Sequence, residues 1–177
     1  MLRIALTGPE STGKSTLCQQ LAAHYHAPCA PEYARAYLAG RRPPYALADL
    51  EAIARGQLAA EAQAAAATGR VVFCDTDLLV IKIWAEHAFG RCPDWIARRV
   101  AQQRYDLVLL MGVDMPWEPD PLREHPEPHL RQHFYRLYQR ELAGGAANFA
   151  EIWGAPAQRF ATARRLVDAL LRAGPRP

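Results

Sequence analysis

The sequence predicts an α/β fold in which a parallel β-sheet carries helices on both of its faces. Three apolar runs, at residues 2–7, 71–75 and 106–111, have the composition of central strands that are buried on both sides. A stretch with helical periodicity follows each run, and strands that alternate with helices are typical of a parallel sheet. Neither a linker nor an internal repeat is evident, so residues 1–177 are predicted to form one domain.

Two weaker strands are predicted at residues 28–31, where prolines flank the run, and at residues 149–153. The predicted helices are the stretches whose apolar residues recur at helical spacing, at residues 15–26, 33–38, 47–67, 78–88, 93–103, 129–142 and 160–172. Gly40 is expected to end the second of these helices, and Thr68 with Gly69 the third.

One long connection, at residues 113–128, is rich in proline and too polar for the core. Long connections without secondary structure inside compact domains are usually functional. We therefore expect a lid segment near residues 113–131.

Composition and charge exclude several classes of protein. A net charge of +3 is too small to indicate nucleic-acid binding. No apolar run approaches the roughly 18 residues of a membrane span, and the first strand leaves no room for a signal peptide. The four cysteines form no C-x-x-C pair, which indicates reduced thiols rather than a disulfide framework or a zinc site. We expect a cytoplasmic protein with a small-molecule substrate and with neither a nucleic-acid nor a membrane partner.

A phosphate-binding loop is predicted at residues 8–16, which read GPESTGKST and fit the pattern G-x-x-x-x-G-K-[ST] between a strand and a helix. The glycines let backbone N–H groups wrap around a phosphate at a helix N-terminus, which already favours anions. The ammonium of Lys14 can then reach the β- and γ-phosphates of ATP. The residues predicted to bind ATP here are Gly8, Glu10, Ser11, Thr12, Gly13, Lys14, Ser15 and Thr16.

Acidic residues follow two further predicted strands, at the edge of the sheet where parallel α/β folds bind ligands. Asp75 ends an apolar strand as a Walker B acid does, so Asp75 and the Ser15 hydroxyl are predicted to hold Mg²⁺. Asp77 either caps the next helix or bonds a substrate hydroxyl, and the sequence leaves both open.

Glu32 follows a predicted strand that is expected to neighbour the phosphate loop. A carboxylate there can orient or deprotonate an attacking hydroxyl, although a glutamate at a helix start also has a purely structural use. Arg35, one turn later, either pins Glu32, binds phosphate or lies on the surface.

Basic and aromatic residues in and after the long connection suggest a closing lid. Arg123 is predicted to close over the transferring phosphate, where it offsets developing charge and excludes water. Trp117 either stacks on an aromatic ligand or packs the lid down. Arg131, on the following helix, is the weaker candidate for the same role, and the alternative is that it only decorates the helix surface.

A loop at residues 154–159 follows the last predicted strand. Gly154 can bring backbone polar groups to an adenine edge, and Arg159 can lie over the adenine ring as a planar cation. The alternative places Arg159 in the first turn of the next helix.

Five segments together resemble the nicotinamide-riboside-kinase domain of NadR-type proteins: GPESTGKSTL, PEYARAYL, FCDTDLL, DMPWEPDPLRE and IWGAPAQR. The resemblance implies a P-loop small-molecule kinase with a nucleoside-kinase-like architecture. It implies phosphate transfer from ATP–Mg²⁺ to the ribose 5′-hydroxyl of nicotinamide riboside, which gives nicotinamide mononucleotide. No H-x-G-H segment is present, so we expect no adenylyl transfer, and we expect no DNA binding.

The chain departs from this family in the pocket for the nicotinamide ring. The family has a tryptophan before the Glu-Tyr pair and an aromatic residue on the following long helix, whereas Pro31 and an aromatic-free stretch at residues 56–67 stand here. Trp84 or Trp117 could supply the stacking surface instead; otherwise the acceptor is another nucleoside or a small alcohol. The residues predicted to bind the acceptor are Glu32, Tyr33, Arg35, Asp77, Trp84 and Trp117.

The sequence thus favours an ATP- and Mg²⁺-dependent kinase in which Lys14, Glu32 and Arg123 are catalytic. Two alternatives stay open. One is a nucleotide-hydrolysing switch that acts through a protein partner, and the other is a module that binds nucleotide without turnover.

Overall fold

A five-stranded sheet forms the centre of the molecule in a computed structural model, which describes residues 1–39, 44–67, 69–145 and 147–174. The strands are β1 (Leu2–Thr7), β2 (Cys29–Ala30), β3 (Val71–Asp75), β4 (Leu107–Met111) and β5 (Phe149–Ile152). Their order in the sheet is β2-β3-β1-β4-β5, and all four pairings are parallel. The predicted parallel sheet is therefore confirmed, with the strand before the phosphate loop at its centre.

The helices that connect the strands lie close to their predicted positions. They are α1 (Lys14–Tyr25), α2 (Tyr33–Leu38), α3 (Leu47–Ala65), α4 (Leu78–Phe89), α5 (Asp94–Gln102), α6 (Pro128–Gly144) and α7 (Pro156–Ala173). None of the helices in the described part of the chain is both long and apolar enough to cross a membrane. The predicted helix ends at Gly40 and Thr68 fall outside the described residues.

Helix α7 begins earlier than predicted, so most of the loop predicted at residues 154–159 is helical. Pro156 occupies the first helical position, where its missing N–H has no cost and its fixed φ angle suits a helix. The Gln158 side chain accepts a hydrogen bond of 2.9 Å from the backbone N–H of Ala155 and so completes the helix start.

Strand β2 lies at the edge of the sheet and pairs only with β3. Strand β3 separates β2 from β1. Pro28 and Pro31 flank the two residues of β2, and proline cannot donate to a second neighbouring strand. Glu32, which follows β2, therefore lies two strands away from β1 in the order of the sheet.

Alternate residues of the strands face opposite sides of the sheet and build two separate layers of core. Leu6, Phe73 and Leu109 pack with residues of α1 and α7 on one side. Val108 and Leu110 pack with residues of α4 and α6 on the other side. Helices thus cover both faces, as the sequence predicts.

A buried polar cluster anchors α3 at the amino-terminal end of β1, away from the phosphate loop. The Arg3 guanidinium donates to Glu61 at 2.7 Å, and the Tyr105 hydroxyl and the Gln103 amide also donate to Glu61. Burial raises the pKa of the Glu61 carboxyl to about 7, although the charge of Arg3 and the hydrogen bonds oppose that shift.

Helix α2 is docked on α3 by one tight contact that sets the position of the preceding Glu32. A Cβ atom on Gly56 would lie 2.1 Å from the Tyr33 ring, so only glycine leaves room for that ring. The backbone N–H of Tyr33 also donates to the Gln57 side chain at 2.9 Å. The absence of an aromatic residue at this part of α3 therefore has a packing reason.

Replacement of Gly56 by alanine should destabilise the protein even though alanine is the better helix former. Alanine gains about 1 kcal/mol of helix propensity, but overpacking against the Tyr33 ring costs about 1–3 kcal/mol or more in so tight a contact. We expect a net loss of about 1–2 kcal/mol in the free energy of unfolding, measured in urea.

The matched control is Gly144→Ala in α6, where an added Cβ meets nothing within 4 Å. This control should be neutral or slightly stabilising. The contact is refuted if Gly56→Ala behaves like Gly144→Ala, or if removal of the ring by Tyr33→Ala in the Gly56→Ala background recovers no stability.

Candidate active site

The phosphate loop between β1 and α1 has the backbone conformation that its glycines permit. Gly8 and Gly13 have φ angles of 129° and 78°, which side chains rarely adopt. A Cβ on Gly8 would also lie 3.0 Å from the Met111 carbonyl oxygen of the neighbouring strand. The loop therefore depends on these two glycines, as the motif predicts.

Lys14, the first residue of α1, lies among carboxylates and loop carbonyls. Its ammonium donates to the carbonyl oxygens of Gly8 at 2.9 Å and Pro9 at 2.7 Å. Burial lowers the pKa of Lys14, while the charges of Glu32 and Asp75 oppose that shift. The ammonium is thus held in the concavity where the motif places the phosphates of a nucleotide.

Asp75 ends β3 beside α1 and offers a hard oxygen ligand that the described residues do not use. Its side chain is buried, and Oδ1 has no hydrogen-bond partner among them. Burial raises the pKa of Asp75, and a hydrogen bond from Ser15 opposes that shift. No group of three or more acidic, histidine or cysteine ligands occurs in the described ranges. One carboxylate and one hydroxyl fit Mg²⁺, which takes few protein ligands and binds substrate phosphates as well.

Thr76 follows Asp75 in a strained conformation that the sequence does not reveal. Its φ angle is 80°, and its hydroxyl is buried without a partner in the described structure. Such strain is concentrated at functional sites in proteins, where surrounding contacts hold it.

Asp77 caps α4 and does not line the cavity that the substrate would enter. Its carboxylate accepts hydrogen bonds from the Thr7 hydroxyl at 2.9 Å and from the backbone N–H of Val80 at 3.3 Å. Burial raises the pKa of this carboxyl to about 6. Of the two roles that the sequence left open, the structure supports the cap, so the predicted substrate contact is corrected.

Glu32 lines the cavity and lies close to Arg35, which joins it to the lid. The Arg35 guanidinium is 3.7 Å from Glu32 and donates to Asp120 of the lid at 3.0 Å. Arg35 therefore pins Glu32, one of the roles predicted for it. Tyr33, predicted to contact the acceptor, points instead into the contact with Gly56 and does not line the cavity.

A cavity of about 330 Å³ extends from the phosphate loop to an apolar pocket between α2, α4 and α6. Lys14, Glu32 and Arg123 line it near the loop. The apolar and aromatic side chains of its far end are Leu38, Val80, Ile83, Trp84, His87, Phe134 and Tyr138. Trp84 is thus the predicted stacking residue that the structure brings to the cavity, whereas Trp117 does not line it.

The lid covers the phosphate loop and brings Arg123 to the cavity as predicted. The Arg123 guanidinium donates to the Ser11 hydroxyl at 3.3 Å and to the Glu118 carbonyl. The Trp117 indole N–H donates to Glu10 at 3.0 Å, so Trp117 packs the lid down, which is the second of its two predicted roles.

Arg131 is a structural residue rather than a decoration of the α6 surface. Its side chain is buried and donates to the carbonyl oxygens of Met115 at 3.0 Å and Ser11 at 3.2 Å. It therefore joins the base of the lid to the phosphate loop, and the alternative that Arg131 only decorates the helix surface is wrong.

Arg159 lies in the first turns of α7 with its guanidinium buried, so it offers no free face to an adenine ring. It donates to the carbonyl oxygens of Gly154 at 2.7 Å, Thr12 at 2.8 Å and Gly112 at 3.1 Å, and it also pairs with Asp114. The prediction that Arg159 stacks on adenine is corrected: the side chain holds three loops together.

The partners that surround Trp84 carry no signal that the sequence could have revealed. The Trp84 indole N–H donates to the Tyr45 hydroxyl at 2.5 Å, and that hydroxyl donates to Glu124 of the lid at 3.1 Å. The rings of His87 and His125 lie 5.0 Å apart and both contact Phe134. These residues come from four separate segments, and only folding brings them together.

Comparison with protein families matches residues 3–159 of this chain to the model of the AAA domain. The chain belongs to this family. The AAA domain described here is 29% identical, over 153 residues, to the trifunctional NAD biosynthesis/regulator protein NadR of Escherichia coli strain K12, and it shows the same identity to NadR of Salmonella typhimurium strain LT2. These matches cover 84% of the chain but only 37% of either relative. The resemblance to NadR-type proteins is thereby confirmed.

Solved structures share the fold of this AAA domain. A crystal structure of a NadR protein in complex with NR matches with a TM-score of 0.83 at 22% identity, over 99% of this chain and 53% of that chain. A deoxyadenosine kinase from M. mycoides matches with a TM-score of 0.66 at 12% identity, over 96% of this chain and all of that chain. The fold is therefore that of P-loop nucleoside kinases, as predicted.

Replacement of Arg159 by leucine should weaken both the fold and nucleotide binding. Three carbonyl groups lose their donor and Asp114 loses its partner, so we expect a loss of about 3–5 kcal/mol in the free energy of unfolding. Urea unfolding measures stability, and calorimetry with the ATP analogue AMP-PNP measures binding. The control Arg165→Leu changes an exposed arginine of the same helix and should shift stability by less than about 0.5 kcal/mol. If the two variants are equally stable, Arg159 does not hold these loops together.

Proposed function

We propose that this chain is an ATP- and Mg²⁺-dependent kinase of a small nucleoside, with nicotinamide riboside as the first candidate acceptor. One observation carries the proposal: a single cavity joins the phosphate loop to an aromatic pocket, with Glu32 and Arg123 near the loop end. A binding module without turnover needs no carboxylate and no lid arginine there.

The donor side of the cavity is built to hold and polarise a triphosphate. Lys14 and the amides of the phosphate loop bind the β- and γ-phosphates, and Arg123 approaches from the lid as charge develops on the transferring group. Ser15 and Asp75 would hold Mg²⁺, which neutralises phosphate charge when bound. The lid over the loop excludes water, which competes with the acceptor hydroxyl.

Glu32 is the group placed to act on the acceptor hydroxyl. It lines the cavity near Lys14, and the Arg35 guanidinium forms an ion pair with it at 3.7 Å. A carboxylate held there accepts the hydroxyl proton or aligns the oxygen with the phosphate.

The far end of the cavity suits an aromatic, positively charged base such as the nicotinamide ring of the riboside. Trp84 offers an indole in the wall, and the carboxylates of Asp120 and Glu124 also line the cavity. An indole face and nearby carboxylates both favour a cation. Trp84 replaces, from α4, the aromatic residues that the family has at the position of Pro31 and on α3.

The comparisons support the same class of reaction. The curated relatives act in NAD biosynthesis by name, and structures of NadR proteins contain NR, or NAD with AMP-PNP. The deoxyadenosine kinase structures contain deoxynucleotides. Since this chain covers only 37% of either curated relative, the proposal concerns one kinase activity and not all the functions of a trifunctional protein.

One assay tests the proposal and its alternative. ADP release and phosphorylated product are measured with ATP, Mg²⁺ and a panel of nucleosides that includes nicotinamide riboside, and Lys14→Ala serves as the inactive control. Release that depends on nicotinamide riboside and yields an equal amount of nicotinamide mononucleotide supports the proposal. ADP release that does not depend on any acceptor supports the nucleotide-hydrolysing switch. Native turnover by Lys14→Ala would refute the assignment of the phosphate loop.

Replacement of Glu32 by glutamine should reduce kcat with little change in the KM for ATP. Loss of a general base or orienting carboxylate costs about 10²–10⁴ in rate, while the phosphate loop stays intact. Asp94→Asn, at an exposed position of α5, is the control and should keep the native rate. A native kcat in Glu32→Gln would leave this carboxylate with a structural role only.

Replacement of Trp84 by leucine should raise the KM for the acceptor about tenfold and leave the KM for ATP unchanged. Trp84→Phe keeps a ring and should recover part of the loss. Trp95→Leu is the control, because Trp95 packs on Arg55 outside the cavity. If Trp84→Leu and Trp95→Leu have the same acceptor KM, Trp84 does not bind the acceptor.

A further inference from the structure

Glu10, the third residue of the phosphate loop, directs its carboxylate at the lid. Oε1 accepts hydrogen bonds from the Trp117 indole N–H at 3.0 Å and from the backbone N–H of His125 at 2.7 Å. Oε2 accepts one from the backbone N–H of Glu124 at 3.0 Å. Both carboxylate oxygens are thus used by the lid, although the motif assigns this loop to phosphate.

A carboxylate at this position has an electrostatic cost that a purely phosphate-binding loop would avoid. Its negative charge attracts the ammonium of Lys14, but it would repel the triphosphate that the same loop is proposed to bind. Three hydrogen bonds to a charged acceptor offset that cost, because charge-assisted bonds are the stronger class. The contacts with the lid therefore account for an acidic residue in the loop.

The residues that Glu10 holds lie next to the arginine proposed for catalysis. Arg123 directly precedes Glu124 and His125, and its guanidinium donates to Ser11, the neighbour of Glu10. We propose that Glu10 is a positioning residue that docks the lid onto the phosphate loop and thereby sets Arg123 over the transferring phosphate. This role rests on the proposed kinase function.

The same lid segment is tied to the acceptor end of the cavity. The Glu124 carboxylate accepts from the Tyr45 hydroxyl, which accepts from the indole of Trp84. Glu124 is thus held by the phosphate loop through its backbone and by the acceptor wall through its side chain. An acceptor that orders Trp84 stabilises the docked lid, so phosphate transfer is favoured over hydrolysis.

Hydrogen exchange in the full chain tests the docking contact directly, with AMP-PNP bound. In Glu10→Ala, the lid peptide that contains residues 124 and 125 should exchange about tenfold faster, since its amides lose their acceptor. Glu10→Gln, which keeps the shape and one carbonyl oxygen, should be intermediate. Glu127→Ala is the matched control, because Glu127 is an exposed acid of the same region without a side-chain cap bond to α6. Unchanged exchange in a folded Glu10→Ala protein would overturn the proposal.

Turnover measurements test what the docked lid does. Glu10→Ala should lower kcat about tenfold, change the KM for ATP less than about twofold, and release more ADP than phosphorylated acceptor. Tyr45→Phe, which removes one hydroxyl and keeps the ring, should also raise the share of ADP that is released without transfer. A residue that only stabilises the fold would lower activity without changing this ratio, and an unchanged ratio refutes the positioning role.

The two proposals fail in different ways. If no nucleoside accepts phosphate, the proposed kinase function fails, while faster exchange in Glu10→Ala still identifies the docking contact. If nicotinamide riboside accepts phosphate and Glu10→Ala transfers it with the native ratio of product to ADP, the proposed kinase function is supported. The positioning role of Glu10 is then refuted.

Discussion

The buried guanidinium of Arg159 is the contact on which the phosphate-binding end of the sheet depends. It donates to carbonyls of three segments: the phosphate loop at Thr12, the end of β4 at Gly112 and the start of α7 at Gly154. A planar group with five donors can satisfy three carbonyls and the Asp114 carboxylate at once, which lysine cannot. These loops come from distant parts of the chain, so one side chain fixes their relative positions.

Electrostatics at the site follow from the burial of unlike charges in one concavity. Desolvation lowers the pKa of Lys14 and raises that of Asp75, and the attraction between these groups opposes both shifts. A phosphate anion and a divalent cation would relieve the unpaired charge on each side. The arrangement suits ligand binding more than stability, since an Asp75 oxygen has no partner among the described residues and Thr76 has a strained backbone.

Polar contacts join the lid to the rest of the site. Glu10, Ser11 and Arg131 supply most of these contacts on one side, and Arg35 and Tyr45 supply the others. Hydrogen bonds contribute modestly to stability because water replaces them when they break. We therefore expect the lid to open at a smaller cost in free energy than an element that is packed into the hydrophobic core.

The sequence alone determined the parallel sheet, the phosphate loop and the placement of Glu32, Asp75 and Arg123 near it, because apolar periodicity and glycine requirements are local properties. Tertiary structure decided the order of the strands, the burial of Arg159, and the acceptor wall around Trp84. Those features depend on which distant side chains satisfy a buried polar group or fill a space. The spacing of residues along the chain does not show which of these distant side chains meet.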